Sequence, residues 1–343
     1  MLDRSRTRTG YPEGAALTHT IERAVAAERL GYHRFWVAEH HAVPGIASGS
    51  PPVLLGALGA HTSTIRLGSG GVMLPHHQPL VVAEQFLMLD ALYPGRIDLG
   101  LGRTLGFTAP VRRALRHDLD DPDTFAEDID ELRGYLDRTA AVTARPAAER
   151  QIPIFVLATG RGLALAAQLG LPVVVGGPVL DSPRLGDLLG AYRKDFRPSS
   201  RAAEPSVTVS ADVLVADTDA DAAELALPEA WAMARSRQTG EFGPLEPVAS
   251  IRDQAWTNQV RERVEAHLAR TTAGSPDTVR RRLDQLAEAT GADELLAFTS
   301  TYDRDAQLAS DAALAEIMTG SASLTRPSAP DLPTTPRAAG SLS

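Results

Sequence analysis

Residues 65–103, "IRLGSGGVMLPHHQPLVVAEQFLMLDALYPGRIDLGLGR", decide the fold. The apolar, glycine-interrupted run Ile65–Leu74 reads as a strand, the long apolar segment from Pro79 as a helix, and "RIDLGLG" (96–102) as a second strand. Two strands joined by a helix form a parallel βα unit, because only a long crossover returns the chain in the same direction.

The same unit recurs on either side. Upstream, "HTIERAVAAERLG" (19–31) places Ile21, Val25 and Leu30 near helical spacing and ends at Gly31, where a C-terminal cap is expected. "HRFWVAE" (33–39) follows as a buried strand, and "PPVLLGALGAHTS" (51–63) as a helix. Downstream comes a polar, acidic insertion at about 103–150, with a helix predicted in "PDTFAEDIDELRGYLDR" (122–138). The alternation then resumes with "IPIFVLA", "GLALAAQLG", "LPVVVGG", "PRLGDLLGAYRKDF" and "PSVTVSADVLVA". A second irregular region, 217–272, holds Trp231, Phe242 and Trp256. "SPDTVRRRLDQLAEATG" (275–291) is an amphipathic helix capped by Ser275 or Asp277, and strand "ADELLAFTS" with helix "RDAQLASDAALAEIM" closes the series.

Seven strands follow the first helix, so one more ahead of it predicts an α/β (β/α)8 TIM barrel, with insertions after strands 4 and 7. A doubly wound open sheet is the competing architecture. Residues 1–320 form a single domain in this reading, and the Ser-, Thr-, Pro- and Ala-rich stretch 321–343 is expected to be disordered.

The composition excludes several function classes. A net charge of −9 disfavours nucleic acid and anionic membranes as partners. With no cysteine, there is no disulfide, thiolate metal site or cysteine nucleophile. No apolar leader or membrane-length run is seen, so a cytoplasmic protein is expected.

A barrel carries its site at the C-terminal strand ends. Glu39, His40, His41, Gly70, Gly71, Gly102, Arg103, Thr159 and Gly160 all fall at or just after such ends. A histidine there serves as base or hydrogen-bond partner. Adjacent residues on an extended chain face opposite ways, so the pair His40-His41 cannot chelate alone and no metal is expected. Gly68, Gly70 and Gly71 inside a strand mark close packing or the approach of a flat ligand. Arg103 suits a phosphate or carboxylate, or an ion-pair partner. "LATGRG" (157–162) sets Thr159, Gly160 and Arg161 at a helix N-terminus, an anion site by geometry.

Together, "LGYHRFWVAEHH", "GIASGSP", the opening stretch and "AGSPDTVRRRLDQLAEATGADELL" resemble the bacterial luciferase-like flavin monooxygenase family, closest to luciferase-like oxidoreductases of actinobacterial genomes. The resemblance implies a barrel that binds reduced FMN at its mouth, admits O2 and oxygenates a small organic substrate through a flavin C4a-(hydro)peroxide. The FMN would come from a separate NAD(P)H-dependent flavin reductase. The resemblance puts the catalytic histidine at His40, with Glu39 and His41 supporting it. An often-cis peptide against the flavin ring falls at Gly70-Gly71, and the phosphate-gripping arginine at Arg103. Luciferase proper has a cysteine where this chain has Gly102. In the serine-rich phosphate turn of the subgroup, Thr159 keeps one hydroxyl, Gly162 loses another and Arg161 adds a charge. Relatives carry several apolar residues before "LDRS"; here only Met1 and Leu2 precede Asp3, so the first strand reads as truncated: either the true start lies upstream, the favoured expectation, or the barrel is incomplete.

A homodimer through the early barrel helices is expected from the family. Two alternatives stand beside the monooxygenase: an F420-dependent hydride-transfer enzyme, and a non-catalytic flavin-binding or partner subunit. Phe107, Trp231, Phe242 and Trp256, in the variable loops, either wall an apolar substrate pocket or anchor the insertions.

Overall fold

The computed structural model describes residues 1–320 apart from 107 and 148. Phe107 and the stretch 321–343 therefore lie outside the described residues. Ten strands run β1 (Leu2–Asp3), β2 (Arg34–Val37), β3 (Arg66–Ser69), β4 (Val72–Met73), β5 (Ile97–Gly102), β6 (Ile154–Ala158), β7 (Val173–Gly176), β8 (Val207–Val215), β9 (Thr272–Gly274) and β10 (Glu294–Phe298). Parallel pairing follows the order β10-β1-β2-β3-β5-β6-β7-β8, and β8 pairs back to β10. That closes a TIM barrel, with β4 a continuation of β3 beyond Gly70-Gly71 and β9 attached beside β8.

The first strand is short, yet the gap expected there is absent. Leu2 pairs with both Trp36 and Phe298, and Asp3 pairs with Val37. Backbone bonds from Trp36 N to Met1 O (2.8 Å) and from Ala38 N to Asp3 O (3.0 Å) extend the ladder past the two strand residues.

Strand alternation separates two cores. Phe35 and Val37 pack outward with the helical shell, whereas Trp36 and Ala38 join Leu2, Phe155, Val174 and Leu296 in the barrel interior. At the N-terminal end of that interior, buried Asp98 accepts from Arg34 (2.7 Å), Arg66 (2.5 Å) and Trp36 Nε1 (3.1 Å). Arg34 also reaches Glu294 at 2.7 Å, so an ion-pair layer plugs the barrel floor.

The barrel's helices are α1 (Ala15–Arg29), α2 (Pro51–His61), α3 (Pro79–Leu92), α6 (Arg161–Leu169), α7 (Leu185–Asp195), α11 (Pro276–Thr290) and α12 (Arg304–Thr319). The insertion after β5 carries α4 (Ala109–Ala114) and α5 (Phe125–Leu136). The region 217–272, read from sequence as irregular, is helical: α8 (Asp219–Thr239), α9 (Val248–Arg252) and α10 (Asn258–Arg270). Pro228 lies inside α8 rather than ending it, and Thr218 and Thr257 cap α8 and α10 by accepting from Asp221 N and Val260 N. Trp231 and Trp256 pack at 5.1 Å against Ile251, Val260 and Val264, so they anchor this insertion.

Candidate active site

Each strand hands over its inward position at the C-terminal mouth. Continuing the alternation from Trp36 and Ala38 brings His40 to the interior side, and from Asp98 it brings Gly100 and Gly102 there. Gly70-Gly71 is a cis peptide. A Cβ on Gly68 would lie 2.4 Å from Trp36 Nε1, and one on Gly71 2.8 Å from the Gly100 carbonyl, so packing accounts for both glycines. At Gly102 the nearest contact would be an ordinary 3.7 Å to Val72 O, and at Gly160 no atom of the described residues comes within 4 Å. Among the described residues, β5 thus puts no side chain of its own into the mouth at Gly100 and Gly102, and the space around Gly160 is open.

The opposite wall is charged. Arg4 Nη2 donates to Glu229 Oε1 (2.8 Å) and to Ser300 Oγ (2.9 Å), and Arg6 Nε donates to Glu229 Oε2 (2.9 Å). Burial opposes ionisation of Glu229, but Arg4 and Arg6 outweigh it and hold the carboxyl at about 2. Asp212, from the interior face of β8, has His267 Nε2 3.8 Å from its Oδ2. Burial pushes the Asp212 carboxyl up. Burial, reinforced by the Arg4 and Arg6 charges, lowers His40 to about 4, so its imidazole is neutral near pH 7. His40 N donates to Ser48 O at 2.9 Å, folding the following loop back onto the strand end.

Glu39 turns the other way. Its side chain is fully buried and accepts from His41 Nε2 (2.7 Å), His77 Nε2 (2.8 Å) and Met73 N (3.0 Å). Burial opposes the charge, yet these bonds hold the Glu39 carboxyl at about 2.

The chain matches the model of the luciferase-like monooxygenase family over residues 1–294. It belongs to the luciferase-like monooxygenases. A luciferase-like monooxygenase of Escherichia coli K12 is 40% identical over 313 residues, covering 90% of this chain and 93% of that one. The solved apo structure of MsnO8 is 34% identical, with a TM-score of 0.83 over 93% of this chain and 97% of that one. More distant structures share the fold. The FMN complex of the oxygenating constituent of 3,6-diketocamphane monooxygenase from Pseudomonas putida has a TM-score of 0.71 at 19% identity, covering 92% and 96%. The F420-dependent tetrahydromethanopterin reductase of Methanopyrus kandleri has 0.64 at 16% identity, covering 88% and 94%.

Against this luciferase-like frame, the residues singled out from sequence divide into three groups. His40, Gly70, Gly71 and Gly102 gather at the barrel mouth, whereas Glu39 and His41 form a separate cluster with His77. Arg103 pairs with Asp123 at 2.5 Å, both side chains largely exposed, and Thr159, Gly160 and Arg161 stand exposed at the start of α6. Sequence reading passed over Arg4, Arg6, Glu229, Asp212 and His77. The alternating arginines of "RSRTR" (4–8) and the second histidine pair in "LPHHQP" were the available signals.

Proposed function

We propose that the chain is a flavin-dependent monooxygenase that takes reduced FMN and O2 and oxygenates a small organic substrate. The observation that carries this reading is a buried, neutral imidazole at His40, on a mouth whose β5 wall ends in Gly102 with no side chain to fill it. A planar ring system fits that bare wall. The backbone at Gly70-Gly71 would abut its face, and the phosphate would take the α6 N-terminus with Thr159, Gly160 and Arg161. Arg103 would exchange Asp123, an exposed and weakly held partner, for the phosphate. When bound in reduced form, FMN supplies the electrons for activating O2, one oxygen atom going to substrate and the other leaving as water.

The protein's part is positioning and proton control. Neutral His40 is competent both to donate and to accept a hydrogen bond, so it holds or moves a proton at the flavin edge. Burial, reinforced by the Arg4 and Arg6 charges, keeps that imidazole uncharged.

FMN would be delivered by a separate NAD(P)H-dependent reductase. A homodimer would form through α2 and α3, which are apolar around much of their circumference and leave Val53, Val81, Met88 and Leu92 exposed. No helix among the described residues is long and apolar enough to cross a membrane, and a cytoplasmic setting suits this chemistry.

Anaerobic titration with reduced FMN and, separately, reduced F420 tests the reading. Stoichiometric FMN binding is expected. Binding of F420 alone would replace oxygenation with hydride transfer, and binding of neither would contradict both.

A further inference from the structure

His41 and Glu39 face away from the barrel interior and meet the loop that follows β4. Nε2 of His41 and Nε2 of His77 converge on the same Glu39 oxygen, Oε1, at 2.7 and 2.8 Å. Met73 N–H fixes the other oxygen at 3.0 Å. One ligand-type atom from each of Glu39, His41 and His77 lies within 4.8 Å of the others. Glu39 has no exposed side-chain surface, and the His41 and His77 rings are 23% and 30% exposed. The adjoining His76 ring lies 6.2 Å from that of His41, and its far side meets His117 at 5.2 Å. Both His76 ring nitrogens are buried with no hydrogen-bond partner among the described residues.

A carboxylate bracing two imidazoles accounts for Glu39, His41 and His77. It does not account for His76, because a buried imidazole ordinarily gives its nitrogens a partner. Two or three imidazoles with one carboxylate are the donor set of a borderline divalent metal ion. Zn–N distances of about 2.0–2.1 Å put tetrahedral ligand atoms roughly 3.3 Å apart, so His41 and His77 need retreat from Glu39 by only about half an ångström.

The geometry points to a zinc-class metal site formed by Glu39, His41 and His77, with the His76 ring beside it. The sequence expectation of no metal considered His40 and His41 as the donor pair; His40 does diverge, and His77 takes its place. Three protein ligands leave one position of a tetrahedral ion open to solvent. The ion would pin the end of β2 to the loop after β4, the two segments that frame one side of the mouth. This inference is independent of the flavin chemistry, and its test needs no flavin.

The test is calorimetric titration of untagged, chelator-treated full-length protein with Zn²⁺, alongside a visible absorption titration with Co²⁺. One saturable equivalent of Zn²⁺ and a tetrahedral-type Co²⁺ spectrum are expected. His77→Ala and His41→Ala should each weaken Zn²⁺ binding roughly tenfold or more, while exposed His61→Ala leaves it unchanged. Absence of one-equivalent uptake by the wild type overturns the site whatever the variants do. Equal affinity in wild type, His77→Ala and His41→Ala, each folded by circular dichroism, overturns it as well.

Discussion

Arg4 Nη2 donates to Glu229 Oε1 at 2.8 Å and thereby ties the end of the first barrel strand to the middle of α8, across 225 residues of sequence. Arg6 grips the second oxygen of the same carboxylate at 2.9 Å, and both Arg6 and Glu229 are buried. Glu229→Ala strands buried Arg6 and half-buried Arg4 without their counter-charge. Breaking one partner of a buried ion pair costs about 3–5 kcal/mol, so chemical denaturation of this variant should show a loss in that range. A loss below about 1 kcal/mol would mean that the pair behaves like a surface bridge.

The same carboxylate gives a pH dependence with a definite sign. Its folded value of about 2 lies below the ordinary 4.5, so the stability it contributes is complete above pH 4.5 and is lost as pH falls toward 2. Glu229→Gln has no such proton to bind. The stability gap between wild type and Glu229→Gln should therefore narrow as the pH is lowered from 5 toward 3. A constant gap over that interval would show that Glu229 does not titrate low in the folded protein.

Packing predicts the behaviour of Gly68. A Cβ there would lie 2.4 Å from Trp36 Nε1 and 2.8 Å from Asp98 Cβ, both of them buried. Gly68→Ala should cost about 1–3 kcal/mol, as overpacked cores do, and should shift the fluorescence of Trp36. Wild-type stability with an unchanged spectrum would mean that the interior layer has slack.

The eightfold alternation was legible because its signals are local. Apolar runs mark the strands, and glycines such as Gly31, Gly170 and Gly291 end helices with positive φ. Two residues of β1 are too few to show a period, and its closure depends on backbone bonds to partners far along the chain. In α8, Pro228 and the lack of a one-sided apolar stripe masked a helix of 21 residues. The site divided in the same way. His40 and Gly102 could be read from their places at strand ends. The partner Glu229 could not, because nothing near it in sequence records what it meets, and the second histidine pair flags His77 without showing that it meets Glu39.

Among the described residues Arg103 pairs with Asp123, with side chains 42% and 54% exposed, so releasing it to a phosphate costs little. Arg103→Ala should weaken FMN binding about tenfold or more while leaving riboflavin binding nearly unchanged, since a charge-assisted phosphate contact is worth roughly 1.5–3 kcal/mol. Fluorescence titration with both flavins measures it. Equal losses for the two ligands would remove the phosphate role.

His40→Ala should fold normally and bind FMN, yet lower oxygenation by about 10²- to 10⁴-fold, the usual contribution of a positioned acid-base group. Oxygen uptake at saturating reduced FMN, measured once a substrate is known, is the check. Unchanged turnover would take His40 out of the mechanism.

The central claim is that this barrel directs reduced FMN to react with O2. Its most direct test is rapid mixing of the anaerobic protein, loaded with reduced FMN, with O2 while flavin absorbance is followed. Reoxidation should pass through a resolved intermediate phase, which free reduced FMN lacks. A single phase at the rate of free flavin, or no reoxidation at all, would contradict it.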